Sequence, residues 1–556
     1  MEHPLSRTPS DLLQEQAARQ GSHPAVVHAG GTASYADLHR RAAAVSRALH
    51  PTGVERGDRV GLLATNRIEW LECYFGASMA GTTVHAFNTW VTARELDHLL
   101  GEAGCTTLVL LERHGRRHYL EDLRSLVPEV WQADPGQWTS SRYPALRLVV
   151  VIGGTAPRGA VDYERWLEDA DEGGLGASTV PETLVSAVDH GVVLYTSGST
   201  AQPKAVPLLN YGMVENGFHI GERMGLTHED RVWLSSPLFW SFGSANALMA
   251  TFTHGATLVL QEQFHPGVAV DLIESQACTA AYLLPTLTRA ILGQEDLDVR
   301  RLSSLQTGLT IGTPDDVRLA AEVMGVAGIC NVYGSTETYG NCCVTPRDMD
   351  LADRLTSQGP ALPGVHIRTV DPVTVTPTTT GDVGEIQVKG YLTPGYLGAS
   401  PQGNDIFTED GYYRTGDLGW LDERGWLHYS ARATDMIKTS GINVAPAEVE
   451  EFMLSLDGVA QVAVVGVPDE SRGEIVVAYV VSSPRHELEE PRLIEECRAG
   501  MASYKVPARI LVLSELPKTS TGKLHRVKLR ELTKASLNDK SPGRAGPSHE
   551  STTEAS

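Results

Sequence analysis

Long apolar runs are missing from this chain of 556 residues. No stretch reaches the roughly eighteen apolar residues a membrane-spanning helix needs, so membrane insertion is not expected. Positive charge is scarce. Lys and Arg number 46 against 68 Asp and Glu, a formal net charge of -22. That balance argues against wrapping nucleic acid or an anionic membrane. Cysteine is sparse too. Cys73, Cys105, Cys278, Cys330, Cys342, Cys343 and Cys497 form an odd, scattered set with no C-x-x-C. A cytoplasmic protein with free thiols is the expectation. Cys342 and Cys343 read as buried small apolar residues rather than reactive thiols. The opening "MEHPLSRTPSDLLQEQ" lacks the apolar core of a signal peptide. G-x-S-x-G and H-E-x-x-H are absent, which removes the common hydrolase signatures. No internal repeat is present.

What is present suffices for large cores. Hydrophobic residues make up 42% of the chain, and its length implies more than one domain. "SYADLHRRAAAVSRALH" predicts a helix: Ser34 caps it, Asp37 holds the capping-box position, and Leu38, Ala42, Val45 and Leu49 form one apolar stripe. Short apolar runs follow at 107–111, 146–152, 191–195 and 256–261, with helical stretches between several of them. This alternation predicts an α/β fold of parallel sheets covered on both faces. From about Asp435 the scale changes. Strands at 459–467 and 474–482 and a helix over 446–456 predict a separate small α/β domain. From Lys534 onward the composition predicts a disordered tail.

One stretch is built to hold an anion. "VVLYTSGSTAQPKAV" (192–206) runs from a strand into Thr196, Ser197, Gly198, Ser199 and Thr200, with Lys204 beyond. Such a loop presents backbone N–H groups and hydroxyls to one point, and the lysine adds charge. Phosphate is the natural ligand, although the usual P-loop pattern is absent. By itself the stretch reads equally as a polar surface turn. "NVYGSTETYG" (331–340) gathers Tyr333, Thr336 and Glu337. Tyr333 suits stacking on a base, Thr336 a phosphate, and Glu337 a Mg2+ ion through hard oxygen. Asp417 in "YYRTGDLGWLDERG" suits two ribose hydroxyls. Lys523 lies on the glycine-containing stretch "LPKTSTGKLHR". Taken singly, each is also an ordinary surface residue.

In this order and spacing the blocks resemble the adenylate-forming superfamily of acyl-CoA and aryl-CoA ligases, luciferases and peptide-synthetase adenylation domains. The resemblance runs from about Leu38 to Arg526. It includes "GDRVGLLATNRIEW", "PLFWSFG", "IGTP", "GDVGEIQVKG", "DMIKTSGINVAPAEVE" and "SYKVPARI". It implies a large N-terminal adenylation domain over 1–431, a hinge at 432–434, a small mobile C-terminal domain over 435–533, and a tail over 534–556. It implies ATP, Mg2+ and coenzyme A as cofactors and a small-molecule carboxylic acid as partner. The reaction would convert the acid to an acyl-adenylate with release of pyrophosphate, and a thiol would then displace AMP.

The resemblance also implies roles. Thr196, Ser197, Gly198, Ser199, Thr200 and Lys204 would hold the β- and γ-phosphates. Glu337 would ligate Mg2+, and Thr336 would meet the α-phosphate. Gly312, Thr313, Pro314 and Tyr333 would surround the adenine, and Asp417 and Arg432 would take the ribose. Lys523 would neutralise charge between the carboxylate and the α-phosphate. The acid would lie among Trp240, Phe242, Leu284, Leu309, Ile311 and Tyr339, flat against Trp240 and Tyr339. Ser440 and Gly441 would border the coenzyme A channel.

Some residues depart from the pattern. Ala201, Ala205 and Ala431 stand where glycines are common, and Thr434 stands where Asp or Lys is usual. Trp240 stands where histidine is frequent and cannot act as a base; it can wall a pocket and donate its indole N–H. Ile311 replaces a common glycine. With few charges to pair an ammonium, such a pocket suits a compact aromatic or short-chain acid. Ile311 buried in the core is the competing reading. Other acceptors stay open: a carrier protein, an amine, a non-carboxylate oxyanion such as nitrite, or a luciferase-like oxidative step. A non-catalytic ATP-binding scaffold conflicts with the presence of Glu337, Asp417, Arg432 and Lys523.

Overall fold

Local chemistry sets the element starts. Ser34 Oγ accepts the Asp37 N–H while Asp37 takes the Ser34 N–H, so two end groups of helix Tyr35–Leu49 are satisfied together. Thr92 and Glu95 repeat the device at helix Ala93–Ala103, which Gly104 ends in the left-handed region. The computed structural model describes residues 3–50, 54–172, 185–197, 203–371, 374–398, 406–432, 437–444, 446–483, 486–517 and 526–538. The chain divides into two compact units: Met1–Thr434 with Ala499–Ser503, and Asp435–Arg498 with Tyr504–Ser556.

The larger unit is layered α/β. One sheet has eight strands, ordered 343–344, 328–333, 307–310, 280–283, 231–234, 257–260, 24–28 and 31–34. It is parallel except for an antiparallel pair at each edge. A second sheet has seven strands, ordered 203–209, 190–197, 83–86, 59–63, 107–111, 148–152 and 161–162. There only the edge pair 190–197 and 203–209 is antiparallel. Thr107–Leu111 and Leu148–Ile152 are buried at every position, which is why they read as unbroken apolar runs. Helices Tyr35–Leu49 and Ile68–Met79 pack closely at Gly76. A Cβ there would lie 2.5 Å from Val45 Cβ and 2.6 Å from the Ala42 carbonyl oxygen. All seven cysteines are free and buried, and burial pushes the Cys330 thiol up to about 12.

A third sheet of four antiparallel strands was not predicted. It comprises His366–Val370, Gly384–Lys389, Tyr413–Leu421 and Leu427–Arg432. Its strand Tyr413–Leu421 is only partly buried, and pairing slips between Leu418 and Gly419, so no clean period marks it.

In the smaller unit, the two predicted strands appear as Val459–Asp469 and Gly473–Ser482 and pair antiparallel, with Arg509–Val512 parallel to the second. Helix Pro446–Leu454 follows the hairpin Ile437–Thr439 to Ile442–Val444. That hairpin turns through Ser440 at φ 51 and Gly441 at φ 80, a two-residue turn with both central residues left-handed. Lys505 and Glu448 form a buried ion pair. Helix Arg526–Asn538 runs past Lys534, where composition predicts a tail. It is held there because Leu529 is buried and its carbonyl, 2.7 Å away, accepts the Tyr479 hydroxyl. The rest of the predicted tail lies outside the described residues. Among the described residues no helix is long and apolar enough to cross a membrane.

Candidate active site

The antiparallel edge pair of the seven-stranded sheet sets Thr196 opposite Lys204 and Ser197 opposite Pro203. The intervening loop, with Gly198, Ser199 and Thr200, lies outside the described residues, as does Lys523. Lys204 Nζ stands 4.5 Å from the centre of the Tyr396 ring. The Tyr396 hydroxyl in turn donates to Glu337 Oε1 at 2.8 Å. Three further bonds anchor this corner. Leu397 N donates to the Ala205 carbonyl at 3.0 Å, Thr393 Oγ1 to the Pro207 carbonyl at 2.7 Å, and Thr393 N to the Glu337 carbonyl at 2.8 Å. Segment 391–398 therefore ties the anion-loop strand to the turn that carries Glu337.

Glu337 sits on the short turn Thr336–Thr338 just after strand Gly328–Tyr333 and is 8% exposed. With Oε1 oriented by Tyr396, its carboxylate is a preset hard-oxygen donor, which fits a Mg2+ ion. Beside it, Thr336 Oγ1 lies 3.3 Å from Ser241 Oγ. Tyr333, at the end of the same strand, donates its hydroxyl to Asp417 Oδ2 at 2.9 Å. Burial first, then the Asp417 charge, raises the Tyr333 phenol far above its usual value, so it stays a donor. Thr415 Oγ1 accepts the Asp417 N–H at 3.0 Å, and Asp417 pairs in register with Arg432 across the antiparallel sheet. Lys204, Tyr396 and Glu337 thus form one linked set, and Tyr333 and Asp417 a second, on either side of the end of strand Gly328–Tyr333. Tyr333 is buried with its face 5.9 Å from Tyr429, so it anchors Asp417 and offers little ring to a base.

Gly312, Thr313 and Pro314 are exposed where strand Thr307–Thr310 ends. Thr313 caps the next helix through Asp316, which also pairs with Arg289. A Cβ on Gly312 would lie 2.5 Å from Asp316 Oδ2, so the turn needs glycine to let that carboxylate reach the Thr313 N–H.

The expected acid-pocket lining needs correction at three positions. Tyr339 is 0% exposed. Its backbone is left-handed at φ 58, and its hydroxyl accepts the Leu209 N–H at 2.7 Å. Its ring fills the space above Gly212, where a Cβ would lie 2.4 Å from the ring. Tyr339 therefore bolts helix Asn210–Met224 to the Glu337 turn and presents no face to an acid. Leu309 is likewise fully buried, and Leu284 nearly so. Trp240 and Phe242 are half-buried, and Ile311 is 37% exposed, so Ile311 is not a core packing residue. Trp240 meets Trp90 edge to face at 5.3 Å, and Phe242 meets Tyr282 at 5.0 Å.

Sequence reasoning passed over Tyr396, Trp90 and Ser241. The one local signal for Tyr396 is an aromatic between two glycines in "PGYLG" (394–398). Ser440 and Gly441 form the hairpin turn described above, in the smaller unit.

These features are those of a nucleotide-dependent ligase, and comparison with known proteins agrees. Residues 13–397 match the AMP-binding enzyme family and 448–523 match the AMP-binding enzyme C-terminal domain. The chain is 30% identical over 535 residues to the putative acyl-CoA synthetase YngI of Bacillus subtilis, covering 94% of this chain and 96% of that protein. It is 30% identical over 547 residues to the mitochondrial medium-chain acyl-CoA ligase ACSF2 of Danio rerio, covering 96% and 90%. Among solved structures, the amide bond synthetase McbA of Marinactinospora thermotolerans superposes with a TM-score of 0.78 at 26% identity, covering 94% of this chain and 99% of that one. The chain belongs to the AMP-binding enzyme family and is an AMP-forming ligase of the acyl-CoA synthetase type. ATP and coenzyme A are the co-substrates this family implies.

Proposed function

We propose that the enzyme adenylates a compact aromatic or short-chain carboxylic acid and passes the acyl group to coenzyme A. The observation that supports the reading is the pair of contacts at the end of strand Gly328–Tyr333: Lys204, Tyr396 and Glu337 on the turn that follows it, and Tyr333 bonded to Asp417. A carboxylate is a poor acyl donor, because its leaving group would be oxide. Attack of its oxygen on the α-phosphate of ATP replaces that leaving group with AMP. Both reactants are anions, so the protein must neutralise charge and align the attack.

The residues divide that work. Thr196 through Thr200 and Lys204 hold the β- and γ-phosphates and escort pyrophosphate out. Asp417 takes the ribose hydroxyls together with Arg432, and Tyr333 holds its carboxylate in place. Gly312, Thr313 and Pro314 flank the adenine, and Thr336 meets the α-phosphate. Glu337 would hold Mg2+, which supplies charge neutralisation at the phosphate oxygens. Lys523 answers the charge that concentrates during attack. Ser440 and Gly441 border the thiol's route. Trp240, Phe242 and Ile311 shape the acid site. Bulky and apolar, they disfavour an amino acid, because a buried unpaired ammonium costs several kcal/mol. A carboxylate rather than an oxyanion such as nitrite fits the acyl-CoA ligases among its relatives.

The test is acid-dependent ATP–pyrophosphate exchange across a library of acids, nitrite included, with and without coenzyme A. Exchange without thiol, and AMP as the product of full turnover, are expected. ADP as product refutes the mechanism. Product formed with an amine but not with coenzyme A would refute the thiol acceptor.

A further inference from the structure

A histidine–carboxylate cluster lies apart from the residues assigned above. Helix Asn210–Met224 carries Glu215 and His219 four residues apart, hence on one face. Segment 3–7 runs beside that face. His3 Nε2 lies 2.9 Å from Glu215 Oε2, and the His3 ring centre is 6.2 Å from that of His219. One ligand atom from each of His3, Glu215 and His219 lies within 4.8 Å of the other two, and all three residues are half-buried.

The surroundings of His3 point to a cation. Its Nδ1 stands 2.9 Å from the Pro4 carbonyl oxygen, which can only accept, so Nδ1 carries a proton. Its Nε2 faces a carboxylate oxygen, also an acceptor. A neutral imidazole has one N–H and cannot serve both. The ring is an imidazolium, or the carboxyl carries the proton and donates it to Nε2, or a neutral ring holds a cation at Nε2. A backbone carbonyl on the far nitrogen is the common outer partner of a metal-bound imidazole. His219 suits the last case. It sets a second imidazole one helical turn from Glu215, with a ring nitrogen within 4.8 Å of the His3 and Glu215 ligand atoms. Arg7 Nε lies 3.5 Å from Glu215 Oε1, which leaves Oε2 turned toward His3.

We propose that His3, Glu215 and His219 form a site for a divalent transition-metal ion of the Zn2+ class, tying segment 3–7 to the helix. Two imidazoles and one carboxylate are a three-ligand set that Zn2+ accepts, with one position left for water. At bond lengths of about 2.0–2.2 Å the ligand atoms would close to roughly 3.4 Å of one another, within reach of side-chain rotation. Mg2+ prefers oxygen and is not expected here. The ion would link residues 212 positions apart in the chain and so help order the N-terminal segment.

The experiment is a Co2+ titration of the full-length, tag-free protein, followed by ligand-field absorption and calorimetry and then by displacement with Zn2+. One equivalent of Co2+ at a low-symmetry site is expected. His3→Ala and His219→Ala should each weaken binding at least tenfold, and Zn2+ should raise the melting temperature of the parent but not of His3→Ala. Because the chain has 19 histidines, the variants decide which ones bind. Retained ATP–pyrophosphate exchange in both variants shows that they are folded. No Co2+ binding, or binding unchanged in both variants, overturns the proposal and leaves the His3–Glu215 hydrogen bond as the whole account of His3.

Discussion

Replacing Tyr396 by phenylalanine isolates one hydrogen bond. The hydroxyl donates to Glu337 Oε1 at 2.8 Å, and Glu337 is only 8% exposed. A hydrogen bond to a charged group contributes about 1.5–3 kcal/mol. The phenyl ring that remains still lies under Lys204 at the parent's 4.5 Å, so the cation–π contact persists. If the Glu337 orientation matters at the adenylation transition state, exchange falls by about 10- to 150-fold. Half-saturation by Mg2+ should also move to higher concentration, because the carboxylate is no longer aimed. Tyr396→Leu removes ring and hydroxyl together and should lose a further ~2- to 30-fold, from the ~0.5–2 kcal/mol of the Lys204 contact. The assay is ATP–pyrophosphate exchange at saturating acid with Mg2+ varied, beside a melting curve for each variant. A Tyr396→Phe enzyme with the parent's exchange rate and Mg2+ curve refutes the reasoning. A lowered melting temperature alone would make Tyr396 a packing residue.

Three other substitutions probe neighbouring claims. Glu337→Gln keeps the shape and removes the charge, so the Mg2+ dependence of adenylation should shift upward; an unchanged titration makes Glu337 purely structural. Lys523→Ala removes a charge worth on the order of 3 kcal/mol at a developing oxyanion, about a hundredfold or more in exchange rate. Thioester formation from pre-made acyl-adenylate should barely change, and equal loss in both half-reactions refutes separate roles for the two steps. Ile311→Gly should widen acceptance toward larger acids with ATP affinity kept, as read by competitive exchange; uniform loss for every acid, with a lower melting temperature, removes Ile311 from the pocket.

Much of the fold was legible because its signals are local. The capping box at Ser34 and Asp37 needs only residues three apart, and the buried strands Thr107–Leu111 and Leu148–Ile152 announce themselves by unbroken apolar runs. The four-stranded antiparallel sheet was not legible, since its half-exposed, bulged strands carry no steady period. Helix Arg526–Asn538 ran past the predicted start of the tail because its buried anchor, Leu529 under Tyr479, is a contact 50 residues long.

For the site, the sequence pointed to the chemistry through the resemblance its ordered motifs bear to the adenylate-forming superfamily: an anion loop, a carboxylate after a Ser-Thr turn, and an acid beside a glycine. Residue type and spacing carry that information, because charge and hydrogen-bonding capacity belong to the side chain wherever it lies. Only the tertiary structure decided which way each side chain faces and what it meets. Tyr339 follows Glu337 by two residues, yet its left-handed backbone turns it into the core against Gly212. Tyr396, 59 residues further along than Glu337, arrives to orient it, and Tyr333 reaches Asp417 across 84. Contacts of that separation arise from sheet order and strand ends, which no local window of sequence contains.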